Sequence, residues 1–239
     1  MHAGRAGRAD RRHELSDRLV AVSTAADLAD AVSRGEACTD LDLTEARLRD
    51  TDLSGARLTG CDLSGADLRG AALDRARIDG GSLAGADLRE ADLSDAVLTG
   101  VDLSGARLGG ALLGDTRFDG CRMIGVDLRG LRGLAAAFHL SGCNLQVADM
   151  QELHLKGMRI VECDLSEADL RGADLRETVF ERCRLRGTAW RHARLGAADL
   201  RGCDLGEVTA DTPRDLAGAI VSPAQAGAIC TALGLTVLE

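Results

Sequence analysis

The sequence predicts an all-β solenoid, and two observations predict it. Residues 41 to 130 are one five-residue unit repeated without a gap, LDLTE ARLRD TDLSG ARLTG and onward to VDLRG. A second run, from FHLSG to CDLGE, covers 138 to 207 in the same rhythm. With the Leu position written as i, the residue at i−2 is small, usually Ala, Cys or Thr. The residue at i−1 is usually Asp or Arg, and Gly often stands at i+2. A period of five suits neither an α-helix, which repeats at about 3.6, nor a plain strand. It suits a short extended segment followed by a turn.

Alternation within the extended segment puts i−2 and i on one side and i−1 and i+1 on the other. The small residue and the Leu therefore share the interior, while the charged residue faces out. Gly at i+2 suits a turn that needs unusual backbone angles. Four units and four turns close a square coil of 20 residues, and stacked coils pair their backbones at about 4.8 Å. A single coil cannot hold itself together. A buried Leu contributes roughly 1.5–3 kcal/mol, whereas ordering each residue costs about 1–2 kcal/mol. Stacking on neighbouring coils must supply the remainder.

These units resemble the pentapeptide-repeat family, whose pattern is A(D/N)LXX, over roughly 41–207. The resemblance implies a right-handed quadrilateral β-helix. Leu43 to Leu128 gives 18 units and Leu140 to Leu205 gives 14, enough for 8 coils, a rod of about 38 Å at the strand spacing. Twelve residues separate Leu128 from Leu140, where 10 would keep phase, so 131–137 (LRGLAAA) holds a two-residue insertion. If it skips no face, face one carries Leu43, Leu63, Leu83, Leu103, Met123, Met150, Leu170 and Trp190. Faces two, three and four begin at Leu48, Leu53 and Leu58, with Leu140 on face three.

Around this array, 1–13 reads as a disordered tail with four arginines and no aromatic residue, weak evidence for a nucleic-acid arm. Residues 14–37 read as a helical cap over the open first coil, which would otherwise present unpaired backbone. The array is taken as 38–207, and 208–239 as a terminal module. There DLAGAIVS gives two degenerate units around Leu216 and Val221. Ser222-Pro223-Ala224-Gln225 then carries a cap, Pro at the first helical position and a capping-box Gln. A helix should run from about 223 to 233 and stop at Gly234, with a short strand through Leu235, Val237 and Leu238. This ending resembles the C-terminal module of the quinolone-resistance pentapeptide proteins. That resemblance implies a tail-to-tail homodimer through Ile220, Val221, Ile229, Leu233, Leu235 and Val237.

Composition narrows the function. The 239 residues carry a net charge of −9 with 2% aromatics and no Tyr. No run of 18 apolar residues predicts a membrane span, and no apolar signal core opens the chain, so a cytoplasmic protein is expected. Of the eight cysteines, Cys143, Cys163, Cys183 and Cys203 are 20 apart at i−2, and Cys61 and Cys121 are also at i−2. They suit an internal column of small apolar residues. A disulfide is disfavoured in a reducing cytosol, and a straight column cannot surround a metal tetrahedrally. The histidines read as solvated surface groups, with His139 and His154 facing outward. Without a phosphate loop, HExxH or GxSxG, no enzyme and no cofactor are expected.

The outward charges are organised by face. Face one carries Asp42, Asp62, Asp102, Asp149 and Asp169 at i−1, interrupted by Arg122. Face two alternates Asp and Arg closely enough to be nearly neutral, and face four carries Arg57, Arg77, Arg117 and Arg184. Such rows keep any rod soluble. An acidic row on a stiff rod also imitates a phosphate backbone, and the net charge argues against direct nucleic-acid binding. Resemblance to the quinolone-resistance group implies a protein partner, type II topoisomerase, chiefly DNA gyrase, protected from a topoisomerase poison in antibiotic resistance or self-immunity. The competing expectation is a structural or adaptor rod for another protein.

Overall fold

The computed structural model describes residues 25–132 and 138–238. The tail at 1–13, the first part of the cap and 133–137 of the insertion lie outside the described residues. Helix α1 (Ala25–Ser33) buries Leu28 and Ala31 in the core and packs against the first strand. Eight three-residue strands follow, β1 (Ala37–Thr39), β2 (Arg57–Thr59), β3 (Arg77–Asp79), β4 (Val97–Thr99), β5 (Arg117–Asp119), β6 (His139–Ser141), β7 (Arg159–Val161) and β8 (Val179–Glu181). They form one parallel sheet in sequence order, each strand one coil above the last. The register Leu58↔Ile78, Ile78↔Leu98 and Leu98↔Phe118 shows the 20-residue coil directly.

The other three faces are held by single bridges at i−1, such as Asp42↔Asp62, Arg47↔Asp67 and Asp52↔Ala72. The bridging residue receives and donates while its side chain points out: Leu43 N–H donates to Asp62 O at 2.7 Å, and Asp62 N–H to Leu41 O at 2.8 Å. Each of these faces then turns through a bond from the next small residue back to the Leu carbonyl, as in Ala46 to Leu43 and Ala56 to Leu53, both 3.0 Å. The i+2 residue sits in the left-handed region, where Gly carries no penalty: Gly65 has φ +67° and Gly105 φ +66°. At Val147, with φ +51°, the same corner is occupied by a β-branched residue that L-sterics disfavour there.

Leucines and i−2 alanines fill the interior from Leu43 to Leu200, nearly all of them fully buried. Buried hydroxyls at i−2 are satisfied across coils: Thr116 Oγ1 donates to Leu93 O at 2.8 Å and Thr178 Oγ1 to Leu155 O at 2.7 Å. The architecture is a four-sided parallel β-solenoid.

Two expectations are corrected. First, the insertion does skip a face. Arg132 takes a full bridging position above Leu112, its N–H reaching Ala111 O at 2.9 Å. Leu140 therefore stacks on Phe118, and every column above the insertion turns by one face. Face one continues through Arg122, Asn144, Asp164, Arg184 and Asp204, while Asp149 and Asp169 stack above Asp127 on face two. The reason is energetic: leaving a coil one side short would strip a column of its bridge and its bonds.

Second, residues 235–238 form no strand. A lone four-residue segment has no ladder to join, and strands are stable only when paired. The helix expected from about 223 to 233 is present, while a short helix at Thr212–Asp215 was not expected. Helix α2 (Thr212–Asp215) interrupts the coil, Leu216 is buried and Ile220 bridges Asp199. Helix α3 (Pro223–Ala232) starts at a complete capping box of Ser222 and Gln225, and Gly234 follows it with φ +81°. The Gln225 amide also donates to Leu200 O and Cys203 O, both at 2.9 Å, plugging the open carbonyls of the last coil.

Candidate functional site

The five-residue unit decides which surface charges are neutralised. An Asp at i−1 accepts the backbone N–H of i+1, as Asp42, Asp62 and Asp102 do from Thr44, Ser64 and Ser104 at 3.1, 2.9 and 2.8 Å. When i+1 is Arg, its long side chain folds back onto the same carboxylate. Asp67–Arg69, Asp87–Arg89, Asp127–Arg129, Asp169–Arg171 and Asp174–Arg176 all close this way, at 2.5 to 3.0 Å. In the repeat units with the reverse order, Arg77 with Asp79 and Arg117 with Asp119, no ion pair forms among the described residues. A short Asp at the corner cannot reach back. Charge-assisted bidentate pairs are the strong kind, and the Arg69 and Arg176 guanidiniums lower the Asp67 and Asp174 carboxyls to about 2.

From Asp67 upward face two is thus an electrostatic ladder, with cross-coil links Arg107–Asp87 at 2.9 Å and Arg129–Asp149 at 3.0 Å. Asp149 and Asp169 belong to it and are both paired. Face one differs. Asp42, Asp62 and Asp102 meet hydroxyl and amide donors but no Lys or Arg. The hydroxyl and N–H of Thr44 hold the Asp42 carboxyl below its ordinary range, so it is ionised across the neutral region. Further up the same face Asp164 is bridged by Arg184 at 3.0 Å and Asp204 by Arg186 at 2.6 Å. On face one the carboxylates without a cation are therefore Asp42, Asp62 and Asp102, on coils before the insertion. Asp164 and Asp204, on the same face, were missed because their column was assigned to another side. The gap of 12 residues, divided as five plus seven, would have found them.

Of the residues expected at a dimer interface, Ile220, Leu233, Leu235 and Val237 are exposed by 44 to 57%. Val221 and Ile229 are half-buried. Ile220 sits on the last bridge, with Asp199, and Leu233, Leu235 and Val237 follow α3. Among the described residues no helix is long and apolar enough to cross a membrane, and no group of three or more His, Cys, Asp and Glu side chains is arranged to hold a metal ion.

Inside, the corrected register gathers the cysteines. Cys121, Cys143, Cys163, Cys183 and Cys203 occupy one i−2 column on five successive coils, all free and buried. Cys61 lies lower in it, separated by Gly81 and Val101. Their thiols donate weakly to carbonyls of the coil below, as Cys143 Sγ to Phe118 O and Cys203 Sγ to Phe180 O, both 3.3 Å. A groove of about 420 Å³ on the outside of this wall is lined by Glu162, Asp164, Arg182 and Arg184 and lies against the chain at Cys143 and Cys163, which are themselves buried.

Eight copies of the pentapeptide-repeat pattern match residues 42–80, 82–115, 102–132, 139–180, 163–202 and 178–209. The chain belongs to the pentapeptide-repeat family. No curated protein matches the sequence. Among solved structures it is similar to two trypsin-treated, singly substituted forms of QnrB1, a plasmid-mediated fluoroquinolone resistance protein. One is 24% identical with a TM-score of 0.53, over 84% of this chain and 98% of that one. The other is 24% identical with a TM-score of 0.51, over 85% and 97%. HetL, a pentapeptide-repeat protein involved in heterocyst differentiation regulation in the cyanobacterium Nostoc, is 27% identical with a TM-score of 0.40, over 70% and 86%.

Proposed function

We propose that this protein is a non-catalytic, DNA-mimicking rod that binds a type II topoisomerase, DNA gyrase first, and protects it from topoisomerase poisons in the cytoplasm. The observation that supports this reading is the unpaired row Asp42, Asp62 and Asp102 on a wall whose backbone is fixed at every coil. Carboxylates held on a stiff scaffold lose little entropy on docking, and complementary charge speeds encounter with a basic groove. The contact is assigned to these three residues, since Asp149 and Asp169 are already paired on face two. The exposed apolar residues Ile220, Leu233, Leu235 and Val237 are assigned to a twofold junction with a second copy, giving a doubled rod.

The test is a gyrase supercoiling assay, and a drug-induced cleavage assay with a fluoroquinolone, at micromolar protein. Reduced supercoiling or reduced cleavage is expected. No effect on either would remove gyrase as the partner and leave a rod for another protein. Sedimentation velocity should give a dimer that Leu233→Asp converts to monomer.

A further inference from the structure

We propose that the thiol column from Cys121 to Cys203 is a binding site for soft, two-coordinate cations, each held in line between the sulfurs of two adjacent coils. The proposal rests on placement. Five cysteines follow one another in a single interior column, one per coil, with no other residue type between them. Three-donor metal sites do not occur among the described residues, and a straight column offers only pairs. Pairs suit an ion that prefers linear coordination. A thiolate sulfur lies about 2.3 Å from a bound zinc ion, and two bonds of that order laid end to end span about 4.6 Å, close to the coil spacing of about 4.8 Å. Thiolate donors select soft ions over hard ones.

Burial sets which ion is favoured. Loading a divalent ion follows Hg²⁺ + 2 RSH → Hg(SR)₂ + 2 H⁺, with both protons passing to solvent and no net charge left behind. The same reaction with Ag⁺ leaves one negative charge among alanines and leucines, which the interior penalises. Divalent mercury should therefore bind more tightly than silver, and Zn²⁺, which needs four ligands, should not be retained. A surface groove lies against the chain at Cys143 and Cys163, and with the thiols themselves buried an ion enters only as the wall opens locally.

Five thiols in a row make two disjoint pairs, so the column should hold two ions, and spacing rather than thiol number should decide the count. The purified full chain is loaded with mercuric chloride, passed through gel filtration with a competing monothiol, and its metal counted. Cys163→Ala leaves the pairs Cys121–Cys143 and Cys183–Cys203 and should retain as many ions as the parent. The double variant Cys143→Ala, Cys183→Ala leaves no neighbours and should retain two fewer. Retention that falls with each cysteine removed, whatever its position, would overturn the proposal, as would no retention by the parent. Should the double variant fail to fold, X-ray absorption of the loaded parent and of Cys163→Ala decides. Two sulfurs in line at about 2.3 Å support the proposal; a third ligand contradicts it.

Discussion

The rod has two halves, split at the insertion, that share one backbone and differ in how their charges are used. Residues 38–132 carry 17 carboxylates against 12 arginines, and 138–207 carry 12 against 10 Lys and Arg. Within 138–207 every Lys and Arg except Arg191 is in an ion pair. Below the insertion, Arg47, Arg57, Arg77, Arg117 and Arg122 have no carboxylate partner, and neither Asp42, Asp62, Asp102, Asp52 nor Asp92 has a cation. The same repeat thus builds a self-compensated half and a half whose field is left for a partner. Composition alone would not show this, because the net charges differ by little. The order of Asp and Arg within the unit does.

The comparison can be broken or sharpened by substitution. The largest effect is expected from Leu103→Arg, a fully buried position in a middle coil. A charge among apolar neighbours should unfold the whole stack, lost from circular dichroism; a soluble variant with an unchanged spectrum would contradict cooperative stacking. Next is Gly81→Ala. Gly81 has φ +76°, and an added Cβ would lie 2.1 Å from Cys61 O, which is backbone and cannot swing aside. A loss of about 2–4 kcal/mol in urea unfolding is expected from strain and overpacking together.

Asp174→Asn tests the compensated half. Asp174 takes Arg176 at 2.6 Å and Arg194 at 2.9 Å while almost fully buried. Weakening charge-assisted bonds there should cost about 1.5–3 kcal/mol at pH 7. Its folded pKa lies below the unfolded value, so this contribution is full above about pH 4 and fades as pH falls through about 2. The gap between variant and parent should close over that window. The smallest effect should be a gain: Val147→Gly relieves a β-branched residue at φ +51° that is 50% exposed, and should stabilise by about 1 kcal/mol.

The fold was legible because Leu at i and a small residue at i−2 are both demanded by a filled interior, so the pattern repeats with little freedom. The capping box at Ser222 was legible for the same local reason. The path through 131–137 was not. The cue for a unit is its Leu, and here Arg132 takes the bridging position with Gly133 next in sequence, so the unit passed unseen. That one omission carried Asp149 and Asp169 to the wrong face and hid Cys121 from its neighbours. The unpaired state of Arg77 and Arg117 was also beyond the sequence, since it depends on how far a corner Asp can reach.

The most direct measurement compares two charge reversals in the gyrase cleavage assay with a fluoroquinolone. Asp42→Lys, Asp62→Lys, Asp102→Lys alters the uncompensated half, and Asp149→Lys, Asp169→Lys the compensated face, with circular dichroism confirming that both fold. Protection should be lost in the first variant and kept within a few-fold in the second. Equal loss in both, or full protection by the triple variant, would contradict the assignment of the contact to the lower acidic wall.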